Sequence, residues 1–354
     1  MAHSFAAARQ LLERAVADKA FPAAVVEVGT AHQPLWHEAF GHLTFDSNSA
    51  ATRDDTVFDL ASLTKVLATT PLVMRMVERG GLGLSDPVSM HVALWHDEHG
   101  GTPVTIRDLL AHCSGLPAHL PLYRTLKGRV AFESAICATP LAYTPRSKSI
   151  YSDLGFMLLG FILEGLGAPL SLQFDTLRQQ MGGIQDLQFN PPTLWQPRTA
   201  PTRQDEWRGR LLVGEVDDDN AWALGGVAGH AGLFGAAHSV GECARHLLQI
   251  LEGRQGVFQE QTLRTFISRR ADVPGSSRAL GWDTMLPTSS CGTRLSPQAF
   301  GHVGFTGTSL WIDPEAAIYV VLLTNRVHPT PDNDAIKEVR PAFHDAVMDE
   351  LGKS

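Results

Sequence analysis

The chain has 354 residues, 44% hydrophobic and 19% charged, with a net charge of −8. That length supports a large core, and the acidic balance without any basic block argues against nucleic acid as a partner. The most apolar run, Leu154 to Leu163, is far shorter than a bilayer span, which argues against membrane insertion.

The first element is an amphipathic helix from about Ser4 to Ala17. Its stretch Phe5 to Ala20 carries Arg9, Glu13, Arg14, Asp18 and Lys19 and lacks the uncharged core of a secretory signal, so a cytoplasmic location is expected. Two strand-like runs follow, Ala23 to Val28 and Pro34 to Phe40, joined by a short turn. An apolar helical run then extends from Val66 to Val77 and stops at Gly80-Gly81. From there to about residue 215 the pattern is helix or loop. Thr105 to Leu110 and Asp153 to Leu166 read as helices, and the proline-rich Asn190 to Pro201 as a loop. The run Asp217-Asp218-Asp219 reads as a solvated turn. Helices return at Ser239–Leu251 and Gln259–Ser268. Gly281-Trp282-Asp283, Gly304 to Ile312 and Ala317 to Leu323 look like meander strands, and a final helix runs from Asp334 to Leu351.

Strands near both termini with helices between them predict an α+β fold. Its antiparallel sheet would come from both chain ends, flanked by the terminal helices, with a helical insertion. The expected division is 1–60 with 216–354 for the sheet region, and 61–215 for a mainly helical region. Cys113, Cys137, Cys243 and Cys291 are scattered without a C-x-x-C pair and read as reduced, mostly buried thiols.

The chemistry begins at Ser62-Leu63-Thr64-Lys65. Lys65 is one of only six lysines, and positions i and i+3 share a helix face, so the Ser62 hydroxyl and the Lys65 ammonium would lie one above the other. At a helix N-terminus, unpaired backbone N–H groups favour developing negative charge. One Ser-x-x-Lys match is weak alone, but three later segments complete it. They are Tyr151-Ser152-Asp153, the glycine-rich Gly225 to Phe234 containing His230, and Gly301-His302-Val303-Gly304-Phe305.

In this order the motifs resemble the serine β-lactamase and penicillin-binding-protein superfamily. The likeness is to its class C β-lactamase-like branch, which includes carboxylesterases and D-amino-acid peptidases. Leu109-Leu110-Ala111-His112-Cys113-Ser114-Gly115-Leu116-Pro117 is similar to a stretch of that branch as well. The resemblance implies a β-lactamase/transpeptidase-like fold and a serine hydrolase working through an acyl-enzyme on a small ester, short peptide or lactam. It makes Ser62 the nucleophile, gives Lys65 and Tyr151 the acid/base work, and puts the backbone N–H groups of Ser62 and Phe305 in an oxyanion hole. It implies no metal or organic cofactor.

Two departures bear on substrate and mechanism. Asp153 stands where lactamases of the branch favour Asn, and His302-Val303-Gly304 stands for Lys-Thr-Gly. An ionised Asp153 accepts hydrogen bonds but donates none. At about 4 Å from Lys65 it would favour the ammonium by up to about 4 kcal/mol at an effective dielectric near 20. A charged Lys65 would lower the Tyr151 pKa and shift base duty to the phenolate. His302 and Val303 weaken the usual contacts to a substrate carboxylate; Arg326 is a replacement anchor or, alternatively, an exposed arginine beside the sheet. These departures favour an esterase, D-peptidase or amidase over a β-lactamase. A catalytically idle scaffold or peptide binder is the competing class. His230 is structural or functional on equal terms. No G-x-S-x-G elbow occurs, which argues against an α/β-hydrolase. His91, His96, Asp97, Glu98 and His99 lack H-E-x-x-H spacing and read as a solvated loop, not a metal site. Oligomeric state is left open.

Overall fold

In the computed structural model, which describes residues 4–96 and 102–352, the chain opens with α1 (Ala6–Ala17) and the hairpin β1 (Ala23–Thr30) and β2 (Pro34–Gly41). β3 (Phe58–Asp59) leads into Ser62. A π-helical turn, Lys65–Thr69, then passes into α2 (Thr70–Glu78). The helices α3 (Ile106–Leu110), α4 (Arg129–Cys137), α5 (Asp153–Leu166) and α6 (Leu170–Gln180) build the middle of the chain. After β4 (Leu187–Phe189), the small hairpin β5 (Gln204–Asp205) and β6 (Arg210–Leu211), and α7 (Asp219–Ala223), β7 (Leu233–Gly235) pairs with β3 and β4. The C-terminal part is α8 (Ala237–Leu251), α9 (Glu260–Ile267), β8 (Asp283–Thr284), β9 (Phe300–Val303), β10 (Ser309–Asp313), β11 (Ile318–Thr324) and α10 (Ile336–Leu351).

The expected sheet from both chain ends is present. Six antiparallel strands run in the order β2-β1-β11-β10-β9-β8, with β1 seated between its hairpin partner and β11 from the other end. The period-2 alternation of β1 sends Ala24, Val26 and Val28 to one face. There they pack with Phe5 and Leu12 of the N-terminal segment and Phe343 and Val347 of α10. Ala23 and Val25 face the other way, into a core continuous with α8, α5 and α6. Because both faces are covered, β11 is buried at every position, and apart from Tyr319 it is aliphatic from Ile318 to Leu323. Each such side chain contributes about 1.5–3 kcal/mol on burial. All four cysteines are buried and unpaired. Among the described residues no single helix is long and apolar enough to cross a membrane; α5 and α6 pass that test only together, across an 82° bend.

Several local readings change. The strand expected over Gly304 to Ile312 starts only at Ser309. Gly304–Thr308 is the turn that joins β9 to β10, closed by Gly304 N–H donating to the Thr308 carbonyl at 2.8 Å, with Gly307 at φ +108. The helix after Ser62 begins as a π turn, a form that recurs at functional sites. The loop at Asn190 to Pro201 contains a 3₁₀ turn, Thr193–Arg198. The aspartate run is no solvated turn. Asp217 is buried, Asp218 caps α7 by accepting the Ala221 N–H at 2.7 Å, and Asp219 pairs with Arg203 and Arg208. The carboxylates are drawn inward because two arginines are there to meet them. Of the His91–His99 group, Asp97, Glu98 and His99 lie outside the described residues, and His91 is paired with Asp86 at 3.0 Å.

Asn325, just past β11, ties the two chain ends together. Its Oδ1 accepts the Ala23 N–H at 3.1 Å, and its Nδ2 donates to the carbonyls of Leu43 and Pro201, both at 2.9 Å. All of this is buried, so Asn325→Ala strands three backbone groups. Leaving buried polar groups unpaired costs about 1–3 kcal/mol each. Asn325→Ala is expected to lower unfolding stability by about 3 kcal/mol or more in urea titration; a loss under about 1 kcal/mol would show that water replaces these bonds.

Candidate active site

Ser62 is placed by the strained step before it. Ala61 sits at φ +47, a region L side chains rarely adopt, and is held there by neighbours. Its N–H donates to Asp59 Oδ1 at 2.8 Å, and its carbonyl accepts from Thr64 Oγ1 at 2.7 Å. Thr64 Oγ1 also accepts the Leu233 N–H at 3.1 Å, which locks this step to β7.

Lys65 is fully buried, and its ammonium has three donors. All three are used: Ser62 Oγ at 2.9 Å, Asp153 Oδ1 at 2.8 Å and the His230 carbonyl at 3.0 Å. Asp153 reaches it from the first turn of α5. The His230 carbonyl reaches it because Gly229 lies directly on α5. A Cβ at Gly229 would collide with the Phe156 carbonyl and come within 2.9 Å of Gly160 N. Burial alone would lower the Lys65 pKa, but Asp153 and Tyr151 outweigh it and hold it above its usual value. Burial would likewise raise the Asp153 pKa, but the Lys65 ammonium holds that carboxyl well below the usual range. The expected ammonium–carboxylate pair is therefore present.

Tyr151 brings its hydroxyl into this cluster from the segment before α5. Its ring is boxed by His112 at 4.6 Å, His302 at 5.6 Å, the Arg278 guanidinium at 5.1 Å and Lys65 Nζ at 4.8 Å. The hydroxyl is buried without a well-formed hydrogen bond. Burial raises its pKa, and the opposing pull of Lys65 is the smaller effect. The expected net lowering is thus corrected: Tyr151 rests as a neutral phenol.

The two histidines against Tyr151 are also neutral. Burial, together with the charges of Arg278 and Lys65, lowers both pKa values well below the ordinary one. His302 Nδ1 donates to the Val303 carbonyl at 2.8 Å, which leaves Nε2 a buried acceptor without a partner. His112 Nδ1 accepts the Ser152 N–H at 3.0 Å and so fixes the backbone between Tyr151 and Asp153.

Gly304 brings the end of β9 against the segment before Ser62. A Cβ there would sit 2.6 Å from the Leu60 carbonyl. The turn is stitched down by Thr306 Oγ1 to the Asp59 carbonyl at 2.7 Å and Thr308 Oγ1 to the Leu60 carbonyl at 3.1 Å. The backbone N–H groups of Ser62 and Phe305 donate to no protein acceptor among the described residues, as an oxyanion pair must.

Ser62, Tyr151 and Phe305 line two cavities at once, of about 430 and 490 Å³. The first carries Arg278, Arg326, Arg340 and Lys337 against Asp283 and Asp334. The second carries Asp153 and Asp217–Asp219 against Arg124 and Arg203, with His119 at 3.9 Å from Asp153. Arg326 is neither exposed nor free to anchor a substrate. It is buried, donating to the carbonyls of Phe305 at 2.7 Å and Pro331 at 2.8 Å. Arg278 and Arg340 are better placed. Among the described residues Arg340 meets only the Gly304 and Thr308 carbonyls and keeps a buried Nε–H unpartnered. Arg340 was legible in principle, as the one charge in the Ile336, Arg340, Phe343, Val347 stripe of α10. Nothing in the sequence marks Arg278 or His119.

The sequence model of the beta-lactamase family matches residues 8–342. A Salmonella gallinarum protein, provisionally named D-alanyl-D-alanine carboxypeptidase, is 33% identical over 320 residues, covering 80% of this chain and 72% of that protein. Its Salmonella typhimurium counterpart gives the same figures. Among solved structures, EstCE1, described as a hydrolase with promiscuous acyltransferase activity, superposes with a TM-score of 0.77 at 23% identity. That match covers 96% of this chain and 97% of EstCE1. The octameric penicillin-binding protein homologue from Pyrococcus abyssi gives 0.74 at 19% identity, over 94% and 76%. At such identities these structures speak for the fold alone. By the span of the family match and the identity to the Salmonella proteins, the chain belongs to the beta-lactamase family and has its mixed α/β, transpeptidase-like fold.

Proposed function

We propose that this protein is a serine acyl-hydrolase acting on an ester or amide whose leaving part carries a carboxylate, as the last residue of a short peptide does. The observation that carries the reaction is the saturated Lys65 ammonium, 2.9 Å from Ser62 Oγ and beside Tyr151. The cationic cavity with Arg278 and Arg340 supports the carboxylate, and the carboxypeptidase name of the Salmonella relatives agrees with it.

In this reading the substrate carbonyl oxygen accepts from the N–H groups of Ser62 and Phe305, and Ser62 Oγ attacks the carbon. Lys65 cannot take the serine proton because it is already an ammonium. It donates to Oγ and leaves the serine hydrogen free to pass to Tyr151 as phenolate. The tetrahedral intermediate collapses, the leaving amine or alkoxide takes the proton from Tyr151, and an acyl-enzyme remains on Ser62. Water then repeats the sequence to release the acid. Each acid/base step contributes about 10²–10⁴ in rate, and an oxyanion donor about 10²–10³. Asp153 serves here chiefly to hold Lys65 charged, since one of its oxygens is bound to that ammonium.

Ser62→Ala is expected to fold normally and to lose about 10⁴–10⁶ in kcat, together with labelling by a fluorophosphonate. If wild type itself resists the reagent and cleaves nothing in an ester and peptide panel, the protein is an idle scaffold.

The pH dependence follows from Tyr151. Its pKa lies above the ordinary value of 10, and the Lys65 pKa lies above 10.5. Only the ionised tyrosine accepts a proton, so kcat/KM should climb about tenfold per pH unit from neutrality towards pH 9–10, without a plateau. Tyr151→Phe should abolish the climb. A plateau below pH 9, or a slope that survives in the mutant, would assign the base to another group.

Arg278→Ala tests the carboxylate. Its side chain is partly exposed, pairs with Asp283 at a long 3.8 Å and lies over the Tyr151 ring at 5.1 Å, so the fold should tolerate its loss and a ratio between two substrates cancels any effect on Tyr151. The kcat/KM ratio between a carboxylate-bearing substrate and its methyl ester should fall by about tenfold or more. An unchanged ratio would remove the carboxylate from the proposal.

A further inference from the structure

β1 buries a carboxylate that the proposed hydrolysis does not use. Glu27 has no exposed surface, and the fold makes room for it. A Cβ at Gly241 of α8 would collide with Glu27 Oε1, and one at Gly29 would collide with the Tyr319 hydroxyl that serves it. Oε1 accepts from Tyr319 at 2.7 Å and from Arg245 at 3.3 Å. Oε2 faces the other way, towards two imidazoles, with His37 Nδ1 at 2.8 Å and His238 Nδ1 at 3.1 Å. These come from three elements, β1, β2 and α8.

We propose that Glu27 Oε2, His37 Nδ1 and His238 Nδ1 form a site for a divalent transition ion of the zinc class. The three atoms lie within 4.8 Å of one another. Tetrahedral zinc, with bonds of about 2.0–2.2 Å, holds its ligand atoms about 3.3 Å apart, so small side-chain rotations suffice. The outer partners are those a ligating histidine needs. His37 Nε2 faces the Asp54 carbonyl at 3.4 Å, and His238 Nε2 faces Glu242 Oε1 at 3.6 Å. With an ion on each Nδ1, each ring keeps one N–H, on Nε2, and that N–H has an acceptor. Without an ion the same two oxygens are met by a protonated ring, and Glu242 and Glu27 hold the His238 pKa up to about 10, so the ion binds in place of a proton on each Nδ1. Tyr319 and Arg245 hold Oε1, which leaves Oε2 a single-oxygen ligand with fixed direction. His238 is half exposed, so the ion and a fourth ligand from water have an entry path.

Imidazole with carboxylate suits zinc, copper, nickel and iron more than calcium or magnesium. The nearby Arg245 charge opposes any cation, so binding should be weaker than at thiolate-rich structural sites. The sheet order puts β11 and β10 between β1 and β9, with β2 one strand further out, and no ligand here is part of the Ser62 cluster. The ion's role is to clamp α8 to the β1–β2 edge, and the inference stands whether or not the protein hydrolyses esters.

The test is calorimetric titration of the chelator-stripped, tag-free full chain with zinc chloride, alongside thermal unfolding. The expected result is one zinc per chain and a rise of a few degrees in Tm at a large excess of zinc. His37→Gln and His238→Gln should each weaken binding by about tenfold or more, while His32→Gln, an exposed histidine outside the cluster, should bind as wild type does. Glu27→Gln also disturbs Tyr319 and Arg245, so the two histidine variants decide. No saturable binding in wild type, or unweakened binding in either histidine variant, overturns the site.

Discussion

An ammonium buried out of reach of water is tolerated only when its donors are met, and at Lys65 three oxygens from three parts of the chain meet them. Much of the surrounding architecture answers to that requirement. The left-handed step at Ala61 turns Ser62 towards the lysine, and the cap of α5 points Asp153 at it. The close approach of Gly229 to α5 delivers the His230 carbonyl. Losing any one partner leaves a buried charge partly unpaired, so the geometry of Ser62 and the local stability are coupled.

The same charge sets the character of its neighbours. His112 and His302 are kept neutral by burial and by the cations beside them, so neither adds a further positive charge against Tyr151. The phenol is held where an ammonium and a guanidinium both lie against its ring, an arrangement that favours the phenolate once it forms. Phe305 stands between a basic cavity and an acidic one, and its carbonyl is held by Arg326 while its N–H is left for a ligand. The basic and acidic cavities are thus separated by the turn at 304–308, whose threonines bind it to the segment that precedes Ser62.

Burial of a charged group recurs at Glu27, with a different solution. There a carboxylate is met by a phenol, a guanidinium and two imidazoles, and two glycines supply the space. No sequence motif announces it. His37 and His238 are 201 positions apart and belong to a strand and a helix whose contact exists only after the sheet has closed.

The helices and strands near the termini were legible because their hydrophobic periods are strong and both sheet faces are buried. So were Ser62, Lys65, Tyr151 and the His302 to Phe305 segment, because i,i+3 spacing on a helix and glycine at a close approach are local demands that leave local signatures. The boundary at Gly304–Thr308 was not legible, since a turn whose threonines are held by the backbone carbonyls of residues 59 and 60 looks like strand sequence on its own. Nor were the partners of Arg326, the inward turn of Asp217, or the placing of Arg278 and Arg340 beside Ser62. Those depend on which distant carbonyls and charges arrive at the same place. Whether a buried ionisable group is charged depends on the same thing. Burial and proximity act through space, and a sequence read along the chain carries spacing but not distance; hence the pairing of Ser62 with Lys65 could be named from sequence, while the resting protonation of Tyr151 was decided only by the folded surroundings.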